Sequence, residues 1–332
     1  ALRLSEKYRS EILQGRINFL FGNMINHWKH HYETDLLFLN KSYSLGLSSG
    51  DLIWAFFSII NSMSHELFIG KNLNEIMAKF KKHADQIDHL NINRIQNQYN
   101  LIYQTIENLT LNKNTLHKLK GDYFDEETIV NNWLEVNDYS GVGYYAVLKI
   151  LLLFLEEEFT QAVLIAEKYA KYMSSILGQV YSNEYRFYYT ASIIDMYIHS
   201  GKSITSLHKK IIKENIKVYR KLSSICPENN TYKLTFLQAG FSIICNEPDE
   251  AIKLYSKSLV EAKNQNIIFM QAICKERMAA HYKITGLHEI SNTFYLSAYN
   301  LYKRWGCNAK NAMLEEKHKD LIFNQEYSRS IK

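Results

Sequence analysis

Hydrophobic side chains recur every three or four positions along most of the chain, which is the spacing of one face of an amphipathic α-helix. In the first half these stripes run up to breaks at Gly50, Gly70 and Gly121. Asp125 is placed to cap the helix that follows through Trp133. The pattern therefore predicts a succession of helices separated by short links.

The pattern is more regular in the second half. Gly178, Gly201 and Gly286 lie where a residue with positive φ would end a helix, and Pro248 lies at a first helical position, where its missing N–H costs nothing. With the apolar stripes they predict helices at about 144–156, 159–177, 181–200, 205–223, 231–245, 248–264, 267–285, 287–305 and 308–320. We therefore expect an all-α protein of roughly fifteen helices.

A set of small and aromatic residues occurs twice at the same internal spacing. Small residues let two helices of a hairpin approach, and the aromatic ring fills the gap to the next hairpin. The sets are Ala251, Tyr255 and Ser258 and, 40 residues later, Ser291, Tyr295 and Ala298, each preceded by an alanine twelve residues earlier, Ala239 or Ala279; Ala162, Ala166 and Tyr169 form an altered version. The spacing predicts an α-solenoid of tetratricopeptide-like hairpins whose helices are longer than in the usual repeat of about 34 residues.

Proline and glycine are scarce, which supports this fold class. The 332 residues include 2 prolines and 13 glycines, whereas sandwiches, barrels and doubly wound folds use many of both in their frequent turns. No long linker interrupts the stripes. We expect one continuous helical-repeat domain over 1–332, with the most regular repeats over 140–320.

The cysteines and the apolar segments bear on the cellular location of the protein. The 4 cysteines contain no CxxC pair, and we expect them to be reduced and mostly buried in a cytoplasmic protein. The longest apolar run, 147–155, is interrupted by Lys149 and is too short to span a membrane. The chain starts inside an amphipathic pattern at Leu4 and Tyr8, so we expect it to be part of a longer protein.

Several segments resemble a known family. They are CPEN at 226–229, EAIKLY at 250–255 and AYNLYKRWG at 298–306, with HW at 27–28, HELFIG at 65–70 and EYRFYY at 184–189 agreeing in outline. This succession is similar to the helical-repeat region of large bacterial signalling ATPases of the AAA/STAND type. In that family a Ser/Thr kinase-like domain and the ATPase precede the repeats, and GAF and histidine-kinase domains often follow. The resemblance implies a regulatory segment without catalytic residues of its own.

The usual catalytic and metal-binding motifs are absent from the sequence. No GxxxxGK[ST], GxGxxG, GxSxG or HExxH occurs, so we expect no catalytic centre and no cofactor in this segment. His27 and His31 are four residues apart, a spacing that chelates metals on one face of a helix. We interpret them instead as a surface feature at a helical turn.

The predicted helix over 205–223 carries the main candidate binding residues. Leu207, Ile211, Tyr219 and Leu222 are expected to form its buried stripe, with Glu214 as its one acidic residue. The candidate partner-binding residues are Lys209, Lys210, Lys213, Lys217, Arg220 and Lys221 on this helix, and Tyr185 and Tyr189 on the preceding one. An acidic protein partner would suit the cations. Nucleic acid is disfavoured, because no stacking aromatics are interleaved with them and the net charge is only +5.

Two functions remain open from the sequence. The first is a non-catalytic interaction module that binds a protein partner, or a neighbouring ATPase or kinase domain, on a concave solenoid face. The second is an all-helical small-molecule sensor or enzyme that encloses its ligand and uses tyrosines as polar handles.

Overall fold

A computed structural model describes residues 7, 10–111, 116–319 and 321–322. Over these residues the chain forms fifteen α-helices and three 3₁₀ segments, and the only β-type pairing is an isolated bridge between Lys120 and Asp125. The all-α class is confirmed. The predicted helical start at Leu4 and Tyr8 lies outside the described residues.

The described residues of the first half form six α-helices. They are α1 (Glu11–Met24), α2 (Asp35–Ser49), α3 (Leu52–Phe68), α4 (Leu73–Leu90), α5 (Asn93–Thr110) and α6 (Glu126–Glu135), with 3₁₀ segments at Asn26–Trp28 and Tyr32–Thr34 between α1 and α2. The Asp125 side chain accepts a hydrogen bond from the backbone N–H of Glu127 at 3.0 Å and so caps α6 as predicted.

The second half contains nine. They are α7 (Tyr139–Leu155), α8 (Phe159–Tyr169), α9 (Val180–Ser200), α10 (Ser206–Ile225), α11 (Pro227–Ile244), α12 (Pro248–Asn264), α13 (Ile268–Ile284), α14 (His288–Trp305) and α15 (Asn308–Lys317). The three predicted glycines have positive φ, and Pro248 begins α12. Gly201, Gly286 and Pro248 mark helix ends as predicted, because each signal depends on the backbone of a single residue. Gly178 does not end a helix, since α8 already stops at Tyr169.

Three predicted boundaries are wrong. The helix expected over 231–245 begins four residues earlier, at Pro227, because proline fits the first helical position. The helix expected over 159–177 ends at Tyr169, and the chain continues as a 3₁₀ segment, Ala170–Ile176, whose Ile176 side chain packs on the bare backbone of Gly143 in α7. Helix α7 begins five residues earlier than expected, because the Asp138 carboxylate accepts a hydrogen bond from the Gly141 N–H at 3.3 Å and caps it there.

The helices of the second half alternate in burial. In α7, α9, α11 and α13 the exposed residues are confined to the helix ends, whereas α8, α10, α12 and α14 each keep an exposed face. A helix buried all round needs neighbours on more than one side. Consecutive helices cover one side of the buried set, and the second side is covered by chain from the first half.

Helix α3, the loop after it and the 3₁₀ segment after α1 provide that second cover. The Tyr181 hydroxyl in α9 donates to Ser64 Oγ at 2.8 Å. Asn229 in α11 donates from Nδ2 to the carbonyl of His27 at 2.9 Å. Gly70, just after α3, lies against the start of α13 at Ile268. The first-half helices are therefore seated against the inner helices of the second half rather than being stacked only at one end.

In each small–aromatic–small set the serine donates a hydrogen bond to the preceding helix, although Ser258 is the third member of its set and Ser291 is the first. Ser258 Oγ in α12 donates to a backbone carbonyl of α11 at 2.7 Å, and Ser291 Oγ in α14 donates to one of α13 at 2.8 Å. The repeat alanines Ala239 and Ala279 are both fully buried. Tyr295 departs from the pattern: it is half-buried and lies against the His318 ring, whereas Tyr255 is buried.

The close approach of α2 and α3 makes a testable prediction at Gly46. A Cβ added there would lie 2.8 Å from Ala55 Cβ and 3.0 Å from the Ala55 backbone, so the helices would have to separate. We expect Gly46→Ala to lower the free energy of unfolding by about 1–3 kcal/mol in urea titrations. In the matched control Gly15→Ala the added Cβ finds ordinary contacts of 3.6 Å, so helix propensity should raise stability by up to about 1 kcal/mol. Equal stability of Gly46→Ala and the wild type would contradict the close approach.

Candidate partner-binding surface

Helix α10 begins at a side-chain cap and buries one face. Thr205 Oγ1 accepts a hydrogen bond from the His208 N–H at 3.2 Å. The buried stripe is Ile212, Ile216, Tyr219 and Leu222. The expected stripe was therefore wrong in its first member, since Leu207 is 64% exposed, while Ile211 is half-buried and packs against the core. The buried face is centred between Ile212 and Tyr219, and Leu207 lies on its flank.

All six predicted cations of α10 are exposed. They are Lys209, Lys210, Lys213, Lys217, Arg220 and Lys221. Within the described part of the chain, the ion pair that any of them makes is Lys210 Nζ to Glu214 Oε1 at 3.9 Å, a weak i,i+4 contact. The outer face of α10 therefore carries concentrated positive charge that the protein itself leaves largely unneutralised.

A groove runs beside these cations between α10, α11 and α12, with a volume of about 550 Å³. Lys213, Lys217 and Arg220 form one wall. The remaining lining residues are Ile216, Gln238, Phe241, Ser242, Glu250 and Leu254. We call this feature the α10 groove. It joins a cationic wall to an apolar floor, and it has one carboxylate, Glu250, at the opposite side.

The floor of the α10 groove was not predicted. Phe241 and Leu254 come from α11 and α12, and both are half-buried. A signal for them exists in the sequence, since Phe241 follows the repeat alanine Ala239 by two positions and Leu254 precedes the repeat tyrosine Tyr255. The sequence spacing alone does not show that these residues line one groove, because that depends on the relative positions of three helices.

The two candidate tyrosines lie elsewhere. Tyr185 donates its hydroxyl hydrogen bond to the Ala166 carbonyl at 2.8 Å, and Tyr189 donates to Glu167 Oε1 at 3.2 Å, so both half-buried rings pack on α8. Burial is the main cause that raises both of their pKa values. The structure brings three of the six cations together in one groove, and it does not add these tyrosines to it.

The interpretation of His27 and His31 as a surface pair at one helical turn is wrong. His27 lies in the 3₁₀ segment Asn26–Trp28, and His31 precedes the next one, with its Nδ1 accepting from the Glu33 N–H at 3.2 Å. His27 is buried rather than exposed, because the chain bends between the two segments and turns its ring inward. The α-helical spacing that favours metal chelation does not apply to this pair.

His27 belongs to a buried polar cluster with Asp35 and His65. Asp35 Oδ2 lies 3.1 Å from His65 Nδ1 and 3.7 Å from His27 Nδ1. Burial is the main cause that lowers the pKa of His27 to about 3, and the charge of His65 acts in the same direction. Burial raises the pKa of the Asp35 carboxyl, against hydrogen bonding and charge from His65. The cluster links α2 and α3 in the interior, away from the α10 groove.

A second buried charge pair joins α9 to α11. Lys233 Nζ donates to Glu184 Oε1, and the two side chains are 1% and 0% exposed. Burial raises the pKa of Glu184 and lowers that of Lys233, while the opposite charge of each partner counteracts the shift. Sequence analysis missed this pair, because the periodicity of two helices does not show which of their polar residues meet.

The structure also bears on the predictions about the cysteines and about a membrane span. Cys226, Cys274 and Cys307 are buried and Cys245 is exposed, all with free thiols, as expected for mostly buried cysteines. Among the described helices none is both long and apolar enough to cross a bilayer. No protein-family model matches the chain, and neither does any curated protein.

Proposed function

We propose that this chain is a non-catalytic protein-interaction and regulatory module that binds an acidic segment of a protein partner in the α10 groove. The observation that carries the proposal is the combination of Lys213, Lys217 and Arg220 with the apolar floor of Phe241 and Leu254. Charges on an exposed surface speed association and select a partner of opposite sign. The apolar floor supplies the desolvated contact that makes such an encounter last.

The chemistry of the groove specifies the partner segment. Carboxylates of the partner would pair with the cationic wall, and an apolar side chain next to them would reach the floor. A purely acidic polymer lacks that second element. Nucleic acid would present phosphates to the wall, but the lining residues include a single aromatic, Phe241, on which a base could stack.

The outer surface is favoured over a concave one by accessibility. In an α-solenoid of tetratricopeptide-like hairpins, the inner helices would be α7, α9, α11 and α13; α9 contacts α3, α13 contacts the loop after α3, and α11 contacts the 3₁₀ segment after α1. A partner could reach the inner surface only if α3 moved away. Binding in the α10 groove requires no such rearrangement.

The source of the acidic segment is proposed from the resemblance of the sequence segments to one family. Because the repeat region of large bacterial signalling ATPases lies between an ATPase and its signalling output, we propose a neighbouring ATPase or kinase domain, or a separate cytoplasmic protein, as the source of the acidic segment. Binding at the α10 groove would then couple that domain to the helical array.

Charge reversal in the groove tests the proposal. We expect the triple variant Lys213→Glu/Lys217→Glu/Arg220→Glu to bind a fluorescein-labelled peptide of Glu, Asp and Leu at least tenfold more weakly than the wild type by fluorescence anisotropy. The matched control reverses three exposed lysines of α12, Lys253, Lys257 and Lys263, and should stay within threefold of the wild type. Binding should weaken with salt, since the charges are exposed.

Three outcomes would contradict the proposal. They are a wild type that does not bind the peptide, an equal loss of affinity in both triple variants, and equally tight binding of polyglutamate, which has no side chain for the apolar floor. Thermal unfolding of both variants checks that each has folded.

A further inference from the structure

A second cleft lies on another part of the molecule, between α1, α3, α5 and the start of α7. Its volume is about 300 Å³, at the lower end of the range of about 300–1,000 Å³ that is usual for small-molecule sites. Its walls are largely aromatic: Phe19, Trp54, Phe57, Trp133 and Tyr144. We call it the aromatic cleft. None of the residues that line the α10 groove contributes to it.

Two buried amides belong to the lining of the aromatic cleft and carry hydrogen-bonding atoms that have no partner among the described residues and no accessible surface in this conformation. Asn61 is 1% exposed; its Nδ2 donates to the Phe57 carbonyl at 2.8 Å, while its Oδ1 accepts no hydrogen bond from the described protein. Gln98 is 5% exposed, and its Nε2 has no acceptor among the described residues. An unpaired buried polar atom destabilises a fold. One acceptor and one donor are thus held in the same cleft at a cost that a ligand would remove.

Charge is balanced at this site. Arg94 and Asp138 are the charged residues in the described lining, and Arg94 Nε lies 3.4 Å from Asp138 Oδ2. Asp138 also holds the N-terminus of α7 through the Gly141 N–H. The cationic group is therefore already paired, so the cleft offers no free charge to attract a phosphate or carboxylate.

The cleft wall is held rigidly by a close contact at Gly141. A Cβ on this residue would lie 2.7 Å from Trp133 Cδ2, so only glycine lets the indole lie on the start of α7. Tyr144 is positioned by its hydroxyl, which donates to Gln179 Oε1 at 3.0 Å. A wall whose side chains are already ordered loses little entropy when a ligand binds.

We propose that the aromatic cleft binds the base of a nucleoside. A nucleobase is neutral and planar, presents two faces to aromatic side chains, and carries a donor and an acceptor on one edge. Its donor would pair with Asn61 Oδ1 and its acceptor with Gln98 Nε2 once the two amides rotate toward the base, and amide side chains are common hydrogen-bonding partners of base edges. A sugar is a weaker match, because its many hydroxyls would face a mostly aromatic wall.

The neighbouring surface suits the ribose. A continuous second depression of about 610 Å³ shares Arg94, Trp133 and Asp138 with the aromatic cleft and is rimmed by amides. The rim amides are Asn93, Asn97, Asn132 and Asn137. Asparagine side chains donate and accept, as ribose hydroxyls require. The base would thus enter the aromatic cleft with its sugar toward this rim.

Tryptophan fluorescence tests the proposal directly, because Trp54 and Trp133 are two of the 4 tryptophans of the chain. We expect adenosine, guanosine or uridine to quench the emission of the full chain saturably, with a matching isotherm by titration calorimetry. Gln98→Leu should weaken that binding at least tenfold without lowering the Tm, since it removes an unpaired buried donor. Gln96→Leu, on the same helix but outside the cleft, should bind as the wild type does.

Each alternative result is decisive. Absence of quenching by all three nucleosides, or wild-type affinity in Gln98→Leu, would overturn the proposal. Binding of N-acetylglucosamine but of no nucleoside would assign the cleft to a sugar instead. AMP binding more tightly than adenosine would contradict the balanced charge. The triple charge reversal of the α10 groove should leave nucleoside binding unchanged, so failure of one proposal is separable from failure of the other.

Discussion

Lys233→Met is expected to lower the free energy of unfolding by about 3–5 kcal/mol, the usual cost of removing one partner of a buried ion pair. Methionine has a similar length and fills the same space, so the loss is electrostatic rather than a cavity effect. The variant leaves Glu184, which is 0% exposed, without the donor that Lys233 provides. Urea titration of both proteins at pH 8 measures the difference.

The pH dependence of this loss identifies its cause. Burial already raises the pKa of Glu184, and removing the lysine charge that opposes this shift raises it further. A carboxyl whose pKa is higher in the folded state costs stability as the pH rises through that range. The deficit of Lys233→Met should therefore be smaller at pH 5 than at pH 8. A deficit that does not vary with pH would point to packing instead.

A double variant and a surface control complete the test. Glu184→Gln/Lys233→Met removes both charges and should be more stable than Lys233→Met alone, a departure from additivity expected for residues in direct contact. Lys253→Met replaces an exposed lysine, and we expect a change within about 0.5 kcal/mol. A loss below about 1 kcal/mol in Lys233→Met would show that the pair does not stabilise the α9–α11 contact.

Acidification from pH 7 to pH 5 is expected to cost about 2 kcal/mol of stability through His27 alone. Its folded pKa of about 3 lies below the ordinary value of 6.5, chiefly because the ring is buried. Between these two pKa values the unfolded chain is protonated at His27, whereas the folded protein is not. The stability from the neutral ring is fully present above pH 6.5 and is lost progressively as the pH falls toward 3.

Other groups of the cluster titrate in the same experiment, so the comparison is made between variants. Asp35 acts in the opposite direction, because burial raises its pKa and the folded state takes up its proton more readily as the pH falls. His27→Leu removes the histidine contribution, and its loss of hydrogen bonding is confined to weak contacts with the backbone of Gly22 and Gly178, since neither ring nitrogen makes a close hydrogen bond within the described structure. We expect its stability to fall about 2 kcal/mol less than that of the wild type between pH 7 and pH 5.

The control for this prediction is the neighbouring exposed histidine. His30→Leu should retain the wild-type pH dependence, because His30 lies on the surface. Urea titrations at pH 5, 6, 7 and 8 give the slope for each protein. If His27→Leu lost as much stability as the wild type on acidification, the buried neutral ring would not be the cause.

Much of the local structure was determined by the sequence alone. Apolar spacing, glycines at helix ends and Pro248 located most helices of the second half, and the six exposed cations of α10 were correctly placed on one helix. These features depend on residues within one or two turns of each other. Helix periodicity and capping are properties of such short segments, so no distant contact was needed to predict them.

The tertiary structure decided what covers each helix and which side chains meet. A helix buried on every side, such as α9, has no polar face in its sequence from which the positions of its neighbours could be predicted. One neighbour of α9 is α3, which lies more than a hundred residues earlier in the chain. For the same reason the sequence did not show that His27 turns inward, that Glu184 meets Lys233, or that Asn61 and Gln98 share a cleft. Each of these depends on the packing of segments distant in sequence, on which a local pattern carries no information.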